Sequence, residues 1–451
     1  MRRLLLCALI GACTPTPAQK LVLDELTTSL AAPMTTPPTA ADLDPDPSVL
    51  RVVLRAQRLP EPHGGFRYAY NGLTPGPTIE AELGQTLEVE LINELDAPTT
   101  LHWHGLHVPF AMDGVPWRGG AVAPGERFTY RFVLEQTGTF WYHPHFDTEG
   151  QVDGGLYGAV VVRDPANDRA AYDLVALVDD QGEARLSARQ PTGLAHGHGP
   201  RQRRWLVNGA APGFVTAESG EHVRLRLINT SNHGYLRLSG TGLRLIATDQ
   251  GPLAAARSGE GEVLAPGDRV ELEFLVGAEP LTLRTRPYSL NGGVALGADH
   301  DLLEIRPTGT AAAPAPLRLV APERVQHPDP GYADVVWSFA GSDRTARWFV
   351  NGSRFPQGAI DTFPLGATLI LEVRNLSPTE HPYHLHGYAF EVLSRNGVAP
   401  AQPTYEDTIN VRIRERVRLR IVADNPGDWM SHCHILPHAE DGMMTVLRVE
   451  R

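Results

Sequence analysis

The chain has 451 residues, 42% of them hydrophobic and 20% charged, which describes a folded globular protein and excludes a disordered or fibrous one. At roughly 150 residues per domain, that length has room for about three cores. The net charge of -12, from 40 Lys plus Arg against 52 Asp plus Glu, has the wrong sign for a protein that tracks a phosphate backbone, so no nucleic-acid partner is expected.

Residues 1–13 read MRRLLLCALIGAC, two arginines and then an apolar run from Leu4 to Ala12 that is too short to span a bilayer as a helix. This is the pattern of an export signal. The ending Ile10-Gly11-Ala12-Cys13 resembles the lipobox of bacterial lipoproteins. That resemblance implies cleavage before Cys13, a lipid on that cysteine and a periplasmic or cell-surface address, with cleavage further along as the alternative. Residues 14–47 are rich in Pro, Thr, Ala and Asp without periodicity, and are expected as a disordered tether. With Cys7 lost in the signal and Cys13 lipidated, Cys433 is the one thiol left in the exported body. No disulfide can form within it, so this odd cysteine is expected to be a ligand or a reactive group.

Beyond the tether, 44 Gly and 38 Pro punctuate short runs that alternate Val, Ile, Leu and Thr with polar residues, the pattern of an all-β chain. Three segments align. Gly84 begins GQTLEVELINELDAPTTLHWHG, Gly220 begins GEHVRLRLINTSNHGYLRLSG, and Gly366 begins GATLILEVRNLSPTEHPYHLHG. Each is an alternating strand, a polar turn and a second strand, preceded by Asn71-Gly72, Asn208-Gly209 and Asn351-Gly352 respectively. The starts lie 136 and 146 residues apart, far beyond solenoid periods, so each repeat is a domain. Three β-sandwiches are expected, over residues 48–164, 165–318 and 319–451. In the first and third, a further segment (APGERFTYRFVLEQTGTFWYHPH and RVRLRIVADNPGDWMSHCH) ends in His-x-His; the middle unit offers LAPGDRVELEF without that ending. Metal chemistry is therefore expected in the outer units and a structural role in the middle one.

Scattered placement of 18 His would give about 0.7 His-x-His pairs, and five are present. Four fall at matching points of the repeats: His102 and His104, His143 and His145, His384 and His386, His432 and His434. In a strand, residues two apart share a face at roughly 6.5–7 Å, a spacing that suits neighbouring ions better than one chelated ion. Eight imidazoles with no carboxylate in the motifs suit copper rather than magnesium, calcium or manganese, and are too many for one zinc. The segment His432 to Met444, HCHILPHAEDGMM, adds a second site. Cys433 lies between two histidines, so its sulfur points to the opposite strand face. With His438, an axial Met443 and a further histidine, for which His381 is the best placed, it makes the donor set of a blue-copper centre. His196 and His198 lie in HGHG without a partner repeat and read as a solvated loop. His63, His107, His222, His233, His300 and His327 carry no functional expectation.

The motifs HWHG, WYHPH, HPYHLHG and HCHxxxHxxxxM, in this order, make residues 48–451 resemble the three-domain multicopper oxidases of the laccase type. That resemblance implies three cupredoxin-like Greek-key β-sandwiches and four copper ions. It places the type 1 copper on His381, Cys433, His438 and Met443, and the type 2 copper on His102 and His384. The type 3 pair falls to His104, His143, His145, His386, His432 and His434. It further implies O2 as acceptor, a small reducing donor delivering electrons through His438, and Asp113, in MDGVP, as a proton-delivering acid; a turn-forming Asp-Gly is the competing reading. Many bacterial relatives carry Glu where Ala439 stands, leaving Glu440 or Asp441 as possible substitutes. The axial Met443 points to easily oxidised phenols and aromatic amines. A metallo-oxidase of Cu(I), Fe(II) or Mn(II) is the alternative, against which stands the absence of a Met-rich run among only six Met. A monomer is expected.

Overall fold

A computed structural model describes residues 30–61, 65–116, 120–164, 172–181, 204–295, 297–309, 324–343, 345 and 347–451. The signal segment with Cys7 and Cys13, the two expected domain boundaries after residues 164 and 318, and His63, His196 and His198 lie outside the described residues. Among those described, no helix is long and apolar enough to cross a membrane.

Among the described residues the strands pair into six sheets, two in each repeat unit. One pattern recurs three times. The opening strand of each unit runs parallel to its repeat strand: Val49–Pro60 beside Thr86–Asn93, Tyr172–Gln181 beside His222–Asn229, and Val335–Ser342 beside Thr368–Asn375. In each opposing sheet a second strand lies parallel to the last: Ile79–Glu82 with Gly158–Arg163, Gly213–Glu218 with His300–Thr308, and Ile360–Pro364 with Met444–Glu450. Parallel neighbours cannot be joined by a hairpin, so the chain crosses between sheets, as in Greek-key sandwiches.

The alternation in TLEVELIN explains the first repeat strand, where Leu87, Val89 and Leu91 point inward and are fully buried. Burying each such side chain contributes about 1.5–3 kcal/mol. The Asn-Gly pairs form the hairpin turns that require two positive φ angles: Asn71, Asn208 and Asn351 sit at 53°, 52° and 51°, and Gly72, Gly209 and Gly352 at 78°, 75° and 76°. Each asparagine also ties its turn to the opening strand. The Asn71 carboxamide accepts from Arg55 N–H (2.8 Å) and donates to Val53 O (2.8 Å), with Leu177 and Val175 taking those places for Asn208, and Ser338 and Val336 for Asn351.

The tether expectation is corrected from residue 30 onward. Met34 N–H donates to Phe214 O (2.8 Å) and Ala40 N–H to Thr78 O (2.7 Å), and Met34 is buried in the core of the middle sandwich. A Pro- and Thr-rich chain has no amphipathic face of its own, yet its main-chain groups complete the open edges of strands Gly213–Glu218 and Ile79–Glu82. The segment is a strap binding the first two sandwiches.

Candidate metal centre

Four short strands deliver the histidines to the seam between the first and third units. His102–His104 pairs with Gly138–His143 so that His102 faces His143; in the third unit His384 faces His432. The two halves then interleave. His102 stacks on His386 at 3.8 Å between ring centroids, and His104 on His384 at 3.8 Å. Within the four His-x-His pairs the centroids lie 5.9, 6.1, 5.0 and 5.7 Å apart, closer than the bare strand repeat because the rings converge. None of the eight is more than 7% exposed.

A buried imidazole with an unbonded nitrogen is costly unless something occupies that nitrogen. His102 Nε2, His104 Nδ1, His143 Nε2, His384 Nε2 and both nitrogens of His434 have no hydrogen-bond partner. The nitrogens on the far side of several rings are engaged: His102 Nδ1 donates to Asp113 O (2.9 Å), His143 Nδ1 to Pro144 O (2.9 Å), His384 Nδ1 to Asp407 O (2.9 Å), and His432 Nδ1 to Cys433 O (2.9 Å). One nitrogen bare and inward, the other donating outward, is how metal-bound histidines are oriented. Burial, reinforced by neighbouring imidazoles, holds His104, His143, His145, His386 and His434 well below the usual histidine range and brings His432 to about 3. These rings are neutral at pH 7, the form that ligates. The residues fit a group of metal ions.

Two buried aspartates frame the cluster in a crossed arrangement. Asp113, of the first unit, takes His102 on its carbonyl and His386, from the third unit, on carboxylate Oδ2 (3.0 Å). Asp407, of the third unit, takes His384 on its carbonyl and lies with Oδ1 3.2 Å from His104 Nε2, from the first unit. Sequence reasoning found Asp113 and missed Asp407, which sits between Tyr405–Glu406 and Thr408–Val411 in no motif. Burial alone would raise the Asp407 carboxyl, but Arg269, together with bonds from His104 and His384, outweighs it and holds the group well below the carboxylate range.

On the opposite face of strand Gly427–Cys433 lies the second site. Cys433 Sγ is 3.5 Å from His381 Nδ1 and 3.8 Å from His438 Nδ1, and the two nitrogens are 3.3 Å apart. Ligand bonds of roughly 2.0–2.3 Å in a trigonal plane separate donors by about 3.5–3.7 Å, so this triangle has the right size for one ion. His381 Nε2 donates to Ser377 Oγ (2.6 Å), fixing the ring so that Nδ1 faces the sulfur. Met443 is fully buried in the same core, and its carbonyl accepts the Cys433 N–H (3.1 Å). Burial pushes the Cys433 thiol up, so a thiolate there calls for a bound cation. Trp348 lies against the His438 ring at 3.9 Å, while His438 Nε2 faces outward, 3.3 Å from Asp343, whose side chain is 41% exposed.

The remaining candidates settle elsewhere. Glu440 accepts the Glu149 N–H (2.8 Å), and burial together with Glu440 raises Glu149 to about 8. Asp441 uses its carbonyl to accept from Arg354 (2.6 Å). His107, His222 and His327 lie beside Asp424, Glu273 and Glu391. His233 is the exception among the histidines without an expected role, with its ring 6.4 Å from that of His438.

An all-β chain with a triangle of one cysteine and two histidines on one strand face, and eight inward histidines on the other, is built for a copper protein with two kinds of site. Sequence profiles described as multicopper oxidase match residues 61–167 and 328–451. A multi-copper oxidase from Pseudomonas thermotolerans is 31% identical, with 89% of this chain and 99% of that one aligned at a TM-score of 0.77. A Campylobacter jejuni multicopper oxidase described as a metallo-oxidase is 25% identical (93% and 95% covered, TM-score 0.77). A laccase-like multi-copper oxidase from Ochrobactrum sp., described as acting on lignin model compounds and lignosulfonate, is 25% identical (93% and 100% covered, TM-score 0.78). The chain belongs to the multicopper oxidase family, whose members bind copper and are oxidoreductases that pass electrons from a reducing substrate to O2.

Proposed function

We propose that the protein takes single electrons from small phenols and aromatic amines at a type 1 copper and reduces O2 to water at a three-copper cluster. The observation that carries this reading is strand Gly427–Cys433. Its cysteine faces His381 and His438, and the flanking His432 and His434 face the cluster, with His432 Nδ1 hydrogen-bonded to the Cys433 carbonyl. One tripeptide thus joins electron entry to electron use. The ligand sets are His381, Cys433, His438 and Met443 for type 1, and His102 with His384 for type 2. His145, His386 and His432, whose Nε2 atoms converge at 3.1–3.2 Å, form one type 3 set, and His104, His143 and His434 the other. When bound, copper supplies one-electron transfer at the thiolate site and dioxygen binding at the imidazole-only site. Asp113 supplies protons: its carboxylate lies against both halves of the cluster, with Oδ1 3.2 Å from His102 Nδ1 and Oδ2 3.0 Å from His386 Nδ1.

Oxygen uptake by the copper-loaded protein against an electron-rich methoxyphenol, an aromatic amine, Cu(I), Fe(II) and Mn(II) tests the donor. Turnover of the phenol without excess copper is the expected result. The second reading, a metallo-oxidase, is favoured by the exposed Asp343 carboxylate beside His438, which would hold a cation, and by the description of the Campylobacter relative. Rapid uptake with Cu(I) or Fe(II), and phenol turnover only in excess Cu(II), would replace the first reading by the second. The address is part of the same proposal: Cys13 is lipidated and anchors the protein outside a bacterial membrane. Fractionation of a Cys13→Ala variant tests it, and unchanged membrane association would refute it.

A further inference from the structure

The repeats place an arginine at the same position of all three units. Arg127, Arg269 and Arg416 each open the strand that pairs with the repeat strand, opposite Ile92, Ile228 and Arg374. Arg127 is 67% exposed and Arg416 is also on the surface, whereas the Arg269 side chain is fully buried. The unit whose described residues add nothing to the histidine cluster is the one whose arginine turns inward.

Arg269 reaches all three units. Its Nε donates to Thr139 O (3.1 Å), on the strand that ends in His143; Nη1 and Nη2 each donate to one oxygen of Asp407 (2.6 Å and 2.6 Å); and Nη2 also donates to Asp249 O (3.0 Å). Asp249 Oδ2 accepts the Thr408 N–H (3.1 Å), and Thr408 Oγ1 bonds both His104 Nε2 (3.0 Å) and His384 Nδ1 (3.1 Å). The backbone makes room for this fork: a Cβ on Gly105 would lie 2.3 Å from Arg269 Nη2, and one on Gly267 would lie 3.0 Å from the His434 ring. Among the described residues no arginine hydrogen-bonds Asp113, the crossed counterpart of Asp407.

We propose that Arg269 is a positioning residue for the copper cluster, acting through Asp407 to fix the rings of His104 and His384. The middle unit then serves the site without touching an ion. A planar fork held on both carboxylate oxygens sets the carboxylate plane, which a lysine cannot do. The inference rests on the reading that His104 and His384 hold copper.

The test uses copper-loaded full-length protein and three readouts: copper per chain, blue absorbance, and the electron paramagnetic resonance signal of the type 2 ion. Arg269→Lys should keep the blue absorbance, alter the type 2 signal and weaken copper retention at the cluster by roughly 10- to 100-fold, the range for removing a partner of a metal-bound histidine. Arg226→Lys, at another buried arginine of the middle unit, should alter neither. Asp407→Asn added to Arg269→Met should make matters no worse than Arg269→Met alone, since the second change removes the charge that the first leaves unpaired. An Arg269→Lys protein with wild-type copper and type 2 signal overturns this inference alone. Equal losses in Arg269→Lys and Arg226→Lys, or additive losses in the double variant, also overturn it. A wild-type chain that takes up a single copper overturns the parent reading and this one together.

Discussion

Where the outer repeats carry His102 and His384, the middle repeat carries Leu238, and where they carry His104 and His386 it carries Gly240. The scaffold around these positions is shared: Asn93, Asn229 and Asn375 each bridge two carbonyls through the side-chain amide, at Ala97 and Val122, Gly234 and Leu264, and Thr379 and Val411. Leu238 is fully buried in its own sandwich, while its histidine counterparts point into the seam between two units. Ligand duty follows from which strands turn these positions toward a facing unit, and a unit that turns them into its own sandwich can spend them on core packing.

The sharpest way to break that contrast is to remove the atom that only the third unit has. Cys433→Ser should abolish the blue colour and lower turnover roughly a thousandfold or more, about 4 kcal/mol, while the copper-free protein melts close to wild type. Absorbance and oxygen uptake measure this, and a variant that stayed blue would refute the only described thiol as ligand. Asp113→Asn comes next. Stopped-flow should show reoxidation by O2 slowed by about a hundredfold and reduction of the type 1 copper by substrate nearly unchanged; equal slowing of both steps would return Asp113 to a turn role.

Acid should expose the histidine-bearing seam in the copper-free protein. In the unfolded chain imidazoles titrate near pH 6.5, about the ordinary value. Folded, His104, His143, His145, His386 and His434 stay neutral to far lower pH, and His432 to about 3. In that window the unfolded state binds more protons, so stability is full above roughly pH 6.5 and is lost as pH falls. Each extra proton costs about 1.4 kcal/mol per pH unit. Melting curves should be nearly level above about pH 6.5 and slide downward from there to about pH 5, and a flat profile throughout would mean that the cluster opens to solvent. The smallest effect belongs to the middle unit: Leu238→His should cost about 1–3 kcal/mol and bind no extra copper. An additional bound ion would show that strand geometry alone, without a facing unit, makes a site.

Much of this was legible in the sequence because duplication writes a ligand set twice, at equal offsets from Gly84 and Gly366. Cys433 and His438 stand in one short run, and strand alternation alone separates the sulfur from the flanking imidazoles. Asp407 and Arg269 were not legible. They belong to different units, 138 residues apart, and neither type of residue announces burial; the equivalents of Arg269 lie on the surface. The strap at residues 30–47 escaped for a related reason: its contacts are made by main-chain groups, which no side-chain pattern records.

The crossed sharing of ligands has a consequence for the order in which the protein can be made. His145 and His432, whose nitrogens end 3.2 Å apart, are 287 residues apart along the chain. At synthesis rates of about 5–20 residues per second, the first half of the cluster waits roughly 15–60 s for the second. During that interval a copper ion meets only half of its partners. On the proposed ligand sets, metallation of the cluster is therefore a late event, open only to a finished chain whose end units have docked, and the last proposed ligands to arrive, from His432 to Met443, include all of the proposed type 1 site but His381.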